Sequence, residues 1–232
     1  MKTLIRKTAL FLSTTVLLLF FVPTATAATI PIPGVFNTGV LDDKTIASAG
    51  SVDLHYSLVS SADANFPGPN AIVADPIATG YWLANSSISR WIAPAVNQGY
   101  PSGAANHAAG SYTYRLSFDL TGLDPGTALI SGGWAADNSG TAILLNGVST
   151  GNFVNSYRSL KPFTLESGFV TGINTLDFVV NNLSAGGANP TGLRVEFLSA
   201  TAAPVPVPAA AWLFGSGLVG LFGLARRRAR LA

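Results

Sequence analysis

The chain has 232 residues, of which 24 are glycine, 14 are proline, a tenth are charged and none is cysteine. The missing thiol excludes a disulfide framework, a cysteine nucleophile, a cysteine-ligated metal and a lipid anchor on sulfur. The formal charge of +2 comes from the two ends: between them six basic residues (Lys44, Arg90, Arg115, Arg158, Lys161, Arg194) face all eleven acids, a net of about −5, which excludes nucleic acid as a partner.

Lys2, Arg6 and Lys7 lead into an apolar run, Ala9 to Val22, interrupted only by Ser13, Thr14 and Thr15. Pro23 ends the run, and Ala25-Thr26-Ala27 supplies a small-x-small pattern. This is the three-part secretory signal, with cleavage by signal peptidase expected after Ala27. An uncleaved N-terminal anchor is the alternative; the shortness of the run and its small residues favour cleavage. Residues 28–200 then have the size of one ordinary exported domain.

Within it, strand signals dominate. Val52, Leu54, Tyr56 and Leu58 alternate with other residues and predict a strand with these four on the buried face. Residues 65–110 are less regular, with five prolines and the aromatics Phe66, Tyr81, Trp82, Trp91 and Tyr100, and are expected to form strands joined by long loops. Tyr112, Tyr114, Leu116, Phe118 and Leu120 alternate with polar residues over nine positions. A turn is expected at Leu123-Asp124-Pro125-Gly126, a strand over 128–134, and a hairpin over 143–148, where Asn146-Gly147 suits a type I′ turn. Short strands are expected at 163–165 and 169–170, and longer ones at 175–180 and at Leu193, Val195 and Phe197, with Arg194 and Glu196 facing solvent. No helical period is sustained between Ala28 and Pro204. The fold class expected is all-β, an antiparallel β-sandwich flanked by an N-terminal signal helix and a C-terminal transmembrane helix.

Residues 201–208 are small or proline, and predict an extended linker open to proteolysis. Ala209 to Ala225 is an apolar run of 17 residues, followed by the basic tail 226–232 with Arg226, Arg227 and Arg228. As a helix the run reaches about 25 Å, slightly less than a bilayer's apolar core. The arginines behind it set the orientation, tail inside and domain outside. Gly215, Gly217, Gly220 and Gly223 weaken the helix and permit close approach of another backbone. That suits either recognition by a membrane-embedded enzyme or a plain anchor with small-residue packing.

The stretch VPVPAAAWLFGSGLVGLFGLARRRA resembles a PEP-CTERM sorting domain, in the subtype whose box reads VPLPA. Val207 stands where the commonest box has glutamate and fits the aliphatic subtype. The resemblance implies transient residence in the inner membrane and processing by exosortase, followed by release to the cell surface or matrix. It implies that Val205, Pro206, Pro208 and Ala209 form the recognition box, that Trp212 to Ala225 form the helix, and that Arg226, Arg227 and Arg228 form the stop. Such substrates come from bacteria that make exopolysaccharide, which is accordingly a candidate partner.

A second resemblance runs through WIAP, SYTYRLSFDLTGL, GGWAADNSGTAILLNG, TLDFVVNN and GLRVEF, which in this order look like galactose-binding-like jelly rolls. It implies a carbohydrate-binding or accessory module. A sugar site needs an exposed ring to stack on a pyranose and amides to hold hydroxyls. Trp82, Trp91, Tyr100 and Asn138 are the candidates, Trp91 and Tyr100 being expected exposed and Trp134 buried. Asp137 is a candidate calcium ligand, or simply a turn residue. Otherwise no cofactor is expected.

His55, expected to face solvent, and His107, in a loop, have no evident serine and aspartate partners in sequence. Glu166 and Glu196 are the only glutamates a glycosidase could use. Glu196 pairs more naturally with Arg194 on a wet surface. The expectation is therefore an exported, non-enzymatic structural or interaction module. A carbohydrate-binding module is the first alternative and a hydrolase the second.

Overall fold

A computed structural model of the chain describes residues 28–101, 103 and 105–206, together with Phe214, Leu218, Val219 and Arg226. The expected signal sequence with Ala25 and Ala27, and Pro208, Ala209, Trp212, Arg227 and Arg228 of the sorting region, lie outside the described residues. Phe214, Leu218, Val219 and Arg226 are helical and exposed. Among the described residues no helix is long and apolar enough to cross a membrane.

The described chain is all-β. It opens with β1 (Ile30–Pro31), β2 (Val52–Ser60), β3 (Asn70–Val73) and β4 (Ile92–Ala93). There follow β5 (Gly110–Asp119), β6 (Leu129–Asp137), β7 (Ser139–Leu145) and β8 (Val148–Ser149). The last three are β9 (Lys161–Leu165), β10 (Ile173–Asn182) and β11 (Gly192–Ala202). All pairings are antiparallel, in the order β8-β7-β10-β5-β2-β3-β4-β11-β6-β9, with β1 against β11. β6 and β7 are chain neighbours placed near opposite ends of this order, so the sheet curls until its inner surfaces meet. Phe178 of β10 lies between them, its ring 5.6 Å from Trp134 of β6, 6.2 Å from Phe163 of β9 and 6.2 Å from Tyr56 of β2. Burial of large rings such as these dominates the energetics of a core.

The strongest sequence patterns appear as expected. Tyr112, Tyr114, Leu116, Phe118 and Leu120 are all buried, and β5 pairs with β10 in unbroken register from Gly110↔Asn182 to Asp119↔Ile173. Asn146 (φ 53°) and Gly147 (φ 80°) join β7 to β8, the two positive φ angles that a type I′ turn requires. Pro125–Thr127 forms a 3-10 turn whose first N–H groups are capped by Asp124, with Gly126 N donating to its carboxylate at 2.9 Å.

Five expectations need correction. In β2, Tyr56 and Leu58 are buried, but Val52 and Leu54 are exposed and Asp53 is buried. The Asp53 carboxylate accepts from Gly39 N (2.6 Å), His55 N (2.8 Å) and Tyr56 N (2.9 Å), and this cap breaks the alternation. His55, expected in solvent, lies flat against Phe36 with ring centroids 3.7 Å apart. In β11, Arg194 is 2% exposed, although it does point away from the inner core. Residues 74–93 fold over that outer surface and form a satellite core of Ala74, Ile77, Ala78, Trp82, Trp91 and Ala93 against Ala135. Residues 169–170 form no strand, because the Asn174 side chain binds Val170 at both N–H (2.8 Å) and C=O (2.7 Å).

The fifth correction concerns the linker. β11 continues to Ala202, which pairs with Ile30. Pro204 bridges Leu123, and Val205 N donates to Gly122 O at 2.9 Å. The folded domain thus extends to Val205, and of the expected linker Pro206 is exposed.

The curled sheet has two distinct ends. The exit end carries the finishes of β5, β7, β9 and β11 and the starts of β6 and β10, as the pairs Asp119↔Ile173, Leu145↔Leu176, Leu165↔Ile130 and Thr201↔Leu129 require. The opposite end carries the finish of β6 and the start of β11, paired at Asp137↔Gly192.

Candidate functional site

Trp82 and Trp91 are not exposed platforms. Their rings lie 4.3 Å apart inside the satellite core, Trp91 wholly buried and Trp82 5% exposed. Trp91 Nε1 donates to Leu83 O at 2.7 Å, and Trp82 Nε1 donates to Asp137 Oδ2 at 2.8 Å. The proline-rich segment needed large apolar groups to cover the outside of β6 and β11, and these two indoles supply them. Trp134 is buried, as expected.

Tyr100 and Asn138 do meet. They line a cleft of about 240 Å³ at the end opposite the exit, with Tyr81, Trp82, Asp137, Tyr157 and Asn189. Tyr81 and Tyr100 are 43% and 40% exposed and stand edge to face with centroids 5.1 Å apart. Tyr81 was not singled out from the sequence. Its signal was the adjacent pair Tyr81-Trp82, in which the indole turns inward and the phenol outward.

The cleft's polar wall is fixed by main-chain contacts. Asn138 Oδ1 accepts from Leu183 N at 2.6 Å, and Asn189 Nδ2 donates to Leu183 O and to His107 O, both at 2.9 Å. Thr191 Oγ1 donates to Asp137 O at 2.7 Å. One carboxyl oxygen of Asp137 takes the Trp82 N–H, while the other, Oδ1, is buried without a protein partner. Burial pushes this carboxyl up to about 6, with the Trp82 hydrogen bond pulling weakly the other way. The group therefore exchanges its proton in mildly acidic solution. No group of three or more His, Asp or Glu side chains suited to a metal occurs among the described residues, and the Asp137 carboxyl faces an indole.

The remaining titratable candidates lie away from this cleft's polar wall or are held by neighbouring side chains. His107 is buried; its Nε2 lies 3.0 Å from Gln98 Nε2 and its Nδ1 3.4 Å from Asp63 Oδ2. Gln98 Oε1 accepts from Thr191 N at 3.1 Å, so Gln98 Nε2 must donate and His107 Nε2 must accept. The ring proton is then on Nδ1, on the side of Asp63, in a 3.4 Å contact too poorly aligned for a hydrogen bond, while Nε2 is taken by Gln98. Burial holds this histidine below its ordinary value, against the pull of Asp63. Ser184 lines the same shallow pocket as Asp63 and His107, and the imidazole nitrogen remote from Asp63, Nε2, is occupied by Gln98.

Glu196 is half-buried and accepts on Oε1 from Arg194 Nη2 (2.6 Å), Ser89 Oγ (2.6 Å) and Ser86 Oγ (3.0 Å). Burial raises its carboxyl, but these donors outweigh that and hold it below the usual range. Arg194 also donates to Ser89 Oγ (2.7 Å) and to Ala84 O. The pair expected on a wet surface thus pins residues 84–89 to β11. Glu166 is exposed on the loop after β9, at the exit end.

Fold and site together define an all-β, antiparallel domain with a small aromatic-rimmed cleft at the end remote from its C-terminal exit. No family model, curated protein or solved structure matches the chain.

Proposed function

We propose that the chain is an exported surface or matrix protein, led out by residues 1–27 and sorted through residues 205–228 in the manner of a PEP-CTERM substrate. Its domain is a non-catalytic structural or interaction module of sandwich type, with the order of its segments like that of galactose-binding-like jelly rolls. One observation carries this reading: among the described residues, the first strand and the last main-chain bond each lie beside one of the two expected signals. Ile30, three residues past the expected leader cleavage, pairs with Ala202, and the last main-chain bond of the domain is made by Val205. Everything the sorting signal needs then follows in order: the box, 17 apolar residues and an arginine cluster. The apolar run is the transmembrane helix of this proposal, and exosortase and signal peptidase are its processing enzymes. Replacing both Pro206 and Pro208 with alanine is expected to leave a full-length form in the membrane fraction. Release of an unchanged mature protein by that variant overturns the assignment of the box.

A second reading, carbohydrate binding, is favoured by the two exposed phenol rings beside Asn138 and Asp137. A ring edge or face at Tyr81 or Tyr100 can pack on a pyranose while the amide holds a hydroxyl. At about 240 Å³ the cleft is smaller than the usual small-molecule pocket of about 300–1,000 Å³, so it would grip a short part of a polysaccharide such as the cell's own. Affinity electrophoresis against acidic and neutral polysaccharides tests this. Retardation that disappears in Tyr81→Ala/Tyr100→Ala supports it, and no retardation on any gel removes it.

A further inference from the structure

The loops of the exit end are tied into one surface. Val205 N donates to Gly122 O, Leu120 N to Gly172 O, and Asp124 N to Ala203 O, at 2.9, 2.9 and 2.8 Å. Asn146 Nδ2 donates to Gly168 O and to Asn174 Oδ1, both at 2.9 Å. This surface exposes aliphatic side chains on four separate elements: Val148 (71%), Ile173 (65%), Val205 (53%) and, less fully, Val170 and Leu129. Its loops, 119–128, 146–149, 166–173 and 203–206, carry no lysine or arginine. Their charged groups are Asp119, Asp124 and Glu166. Asp119 and Asp124 are turned onto their own turns, accepting from Thr121 N at 2.7 Å and Gly126 N at 2.9 Å.

We propose that this end of the domain rests on the lipid surface while the chain is anchored, an inference that depends on the membrane-anchoring reading above. The occupant follows from chain length. Val205 is docked, and the apolar run starts at Ala209. Four residues of chain, even fully extended, span at most about 14 Å. The headgroup layer of one leaflet takes up about 5 to 7 Å of that. A run that enters the hydrocarbon at Ala209 therefore holds Val205, Val148 and Ile173 against the headgroups. The tether supplies a high effective concentration, so the contact needs no basic patch and no strong intrinsic affinity. β1 begins beside Ala202, so an uncleaved leader leaves from the same end. The consequence is a fixed display: the cleft, at the far end of the nine-residue β6, stands about 26 Å further from the bilayer, at about 3.3 Å per strand residue.

The chain has no native cysteine, so Val148→Cys, Ile173→Cys and, at the cleft end, Leu183→Cys each accept a single fluorophore. All three side chains are exposed, so labelling leaves the core untouched. The full chain is reconstituted into phosphatidylcholine vesicles containing a headgroup-linked quencher, and flotation is measured in parallel. The proposal expects the chain to float, with most of the fluorescence at 148 and 173 lost and that at 183 retained. If the chain floats and the three positions are quenched equally or not at all, the orientation is refuted while anchoring stands. If the chain does not float, the anchoring reading fails and takes this inference with it.

Discussion

Replacing Asp137 with asparagine is expected to change how stability depends on pH. The native carboxyl is pushed up to about 6 by burial, from an ordinary value of 3.8. An unfolded chain thus releases this proton near 3.8, whereas the folded chain keeps it until about 6. The contribution favouring the fold is fully present below 3.8 and is lost as pH rises to about 6. Two pKa units correspond to about 3 kcal/mol. Asparagine keeps an acceptor for Trp82 Nε1 and removes the titration. His107 acts in the opposite sense: its value is lowered from 6.5, so its contribution is present above 6.5 and is lost as pH falls below that. Both proteins retain His107, so it cancels in their difference. Urea unfolding at pH 4, 5, 6, 7 and 8 should show the variant gaining about 2.4 kcal/mol on the native protein between pH 4 and pH 7. A constant offset caused by the amide itself is allowed; parallel curves across that range refute the burial argument.

Other substitutions probe the packing. A methyl group at Gly140 would lie 2.2 Å from two ring carbons of Trp134 and 2.8 Å from Val154 Cγ1, so Gly140→Ala should cost at least about 3 kcal/mol in denaturant unfolding. Tyr114 is buried and its hydroxyl lacks a protein partner; Tyr114→Phe should be neutral or stabilising by about 1 kcal/mol in the same assay. Glu196→Ala leaves the buried Arg194 guanidinium uncompensated and should cost about 3–5 kcal/mol, with residues 84–89 becoming the first site of proteolysis.

How far the sequence could be read depended on which force set each element. β5 and the β7–β8 hairpin were legible because alternation and the Asn146-Gly147 pair each allow one local answer. The first half of β2 was not, because a single capping carboxylate, Asp53, overrode the alternation there. In β11 the parity was legible but the burial was not: Arg194 does point away from the inner core, and only the packing of residues 74–93 reveals that this side is covered. The same long-range packing turned Trp82 and Trp91 from ligand platforms into core and left Tyr81 at the surface. Tyr100 and Asn138 line one cleft, as exposed loop aromatics and amides do, and their place at the surface was legible from composition. Asn138 is the chain neighbour of Asp137, but only the fold brings Tyr100, nearly forty residues earlier, to the same cleft. The linker was misread because small residues and prolines suit an edge strand as well as a free chain.

If the proposal is right, the β-domain is the released product of two processing events. Intact mass analysis of the protein recovered from culture medium and from the cell surface tests it most directly. The expected species starts at Ala28 and lacks the arginine cluster Arg226 to Arg228. A soluble cytoplasmic protein with the mass of all 232 residues would contradict it.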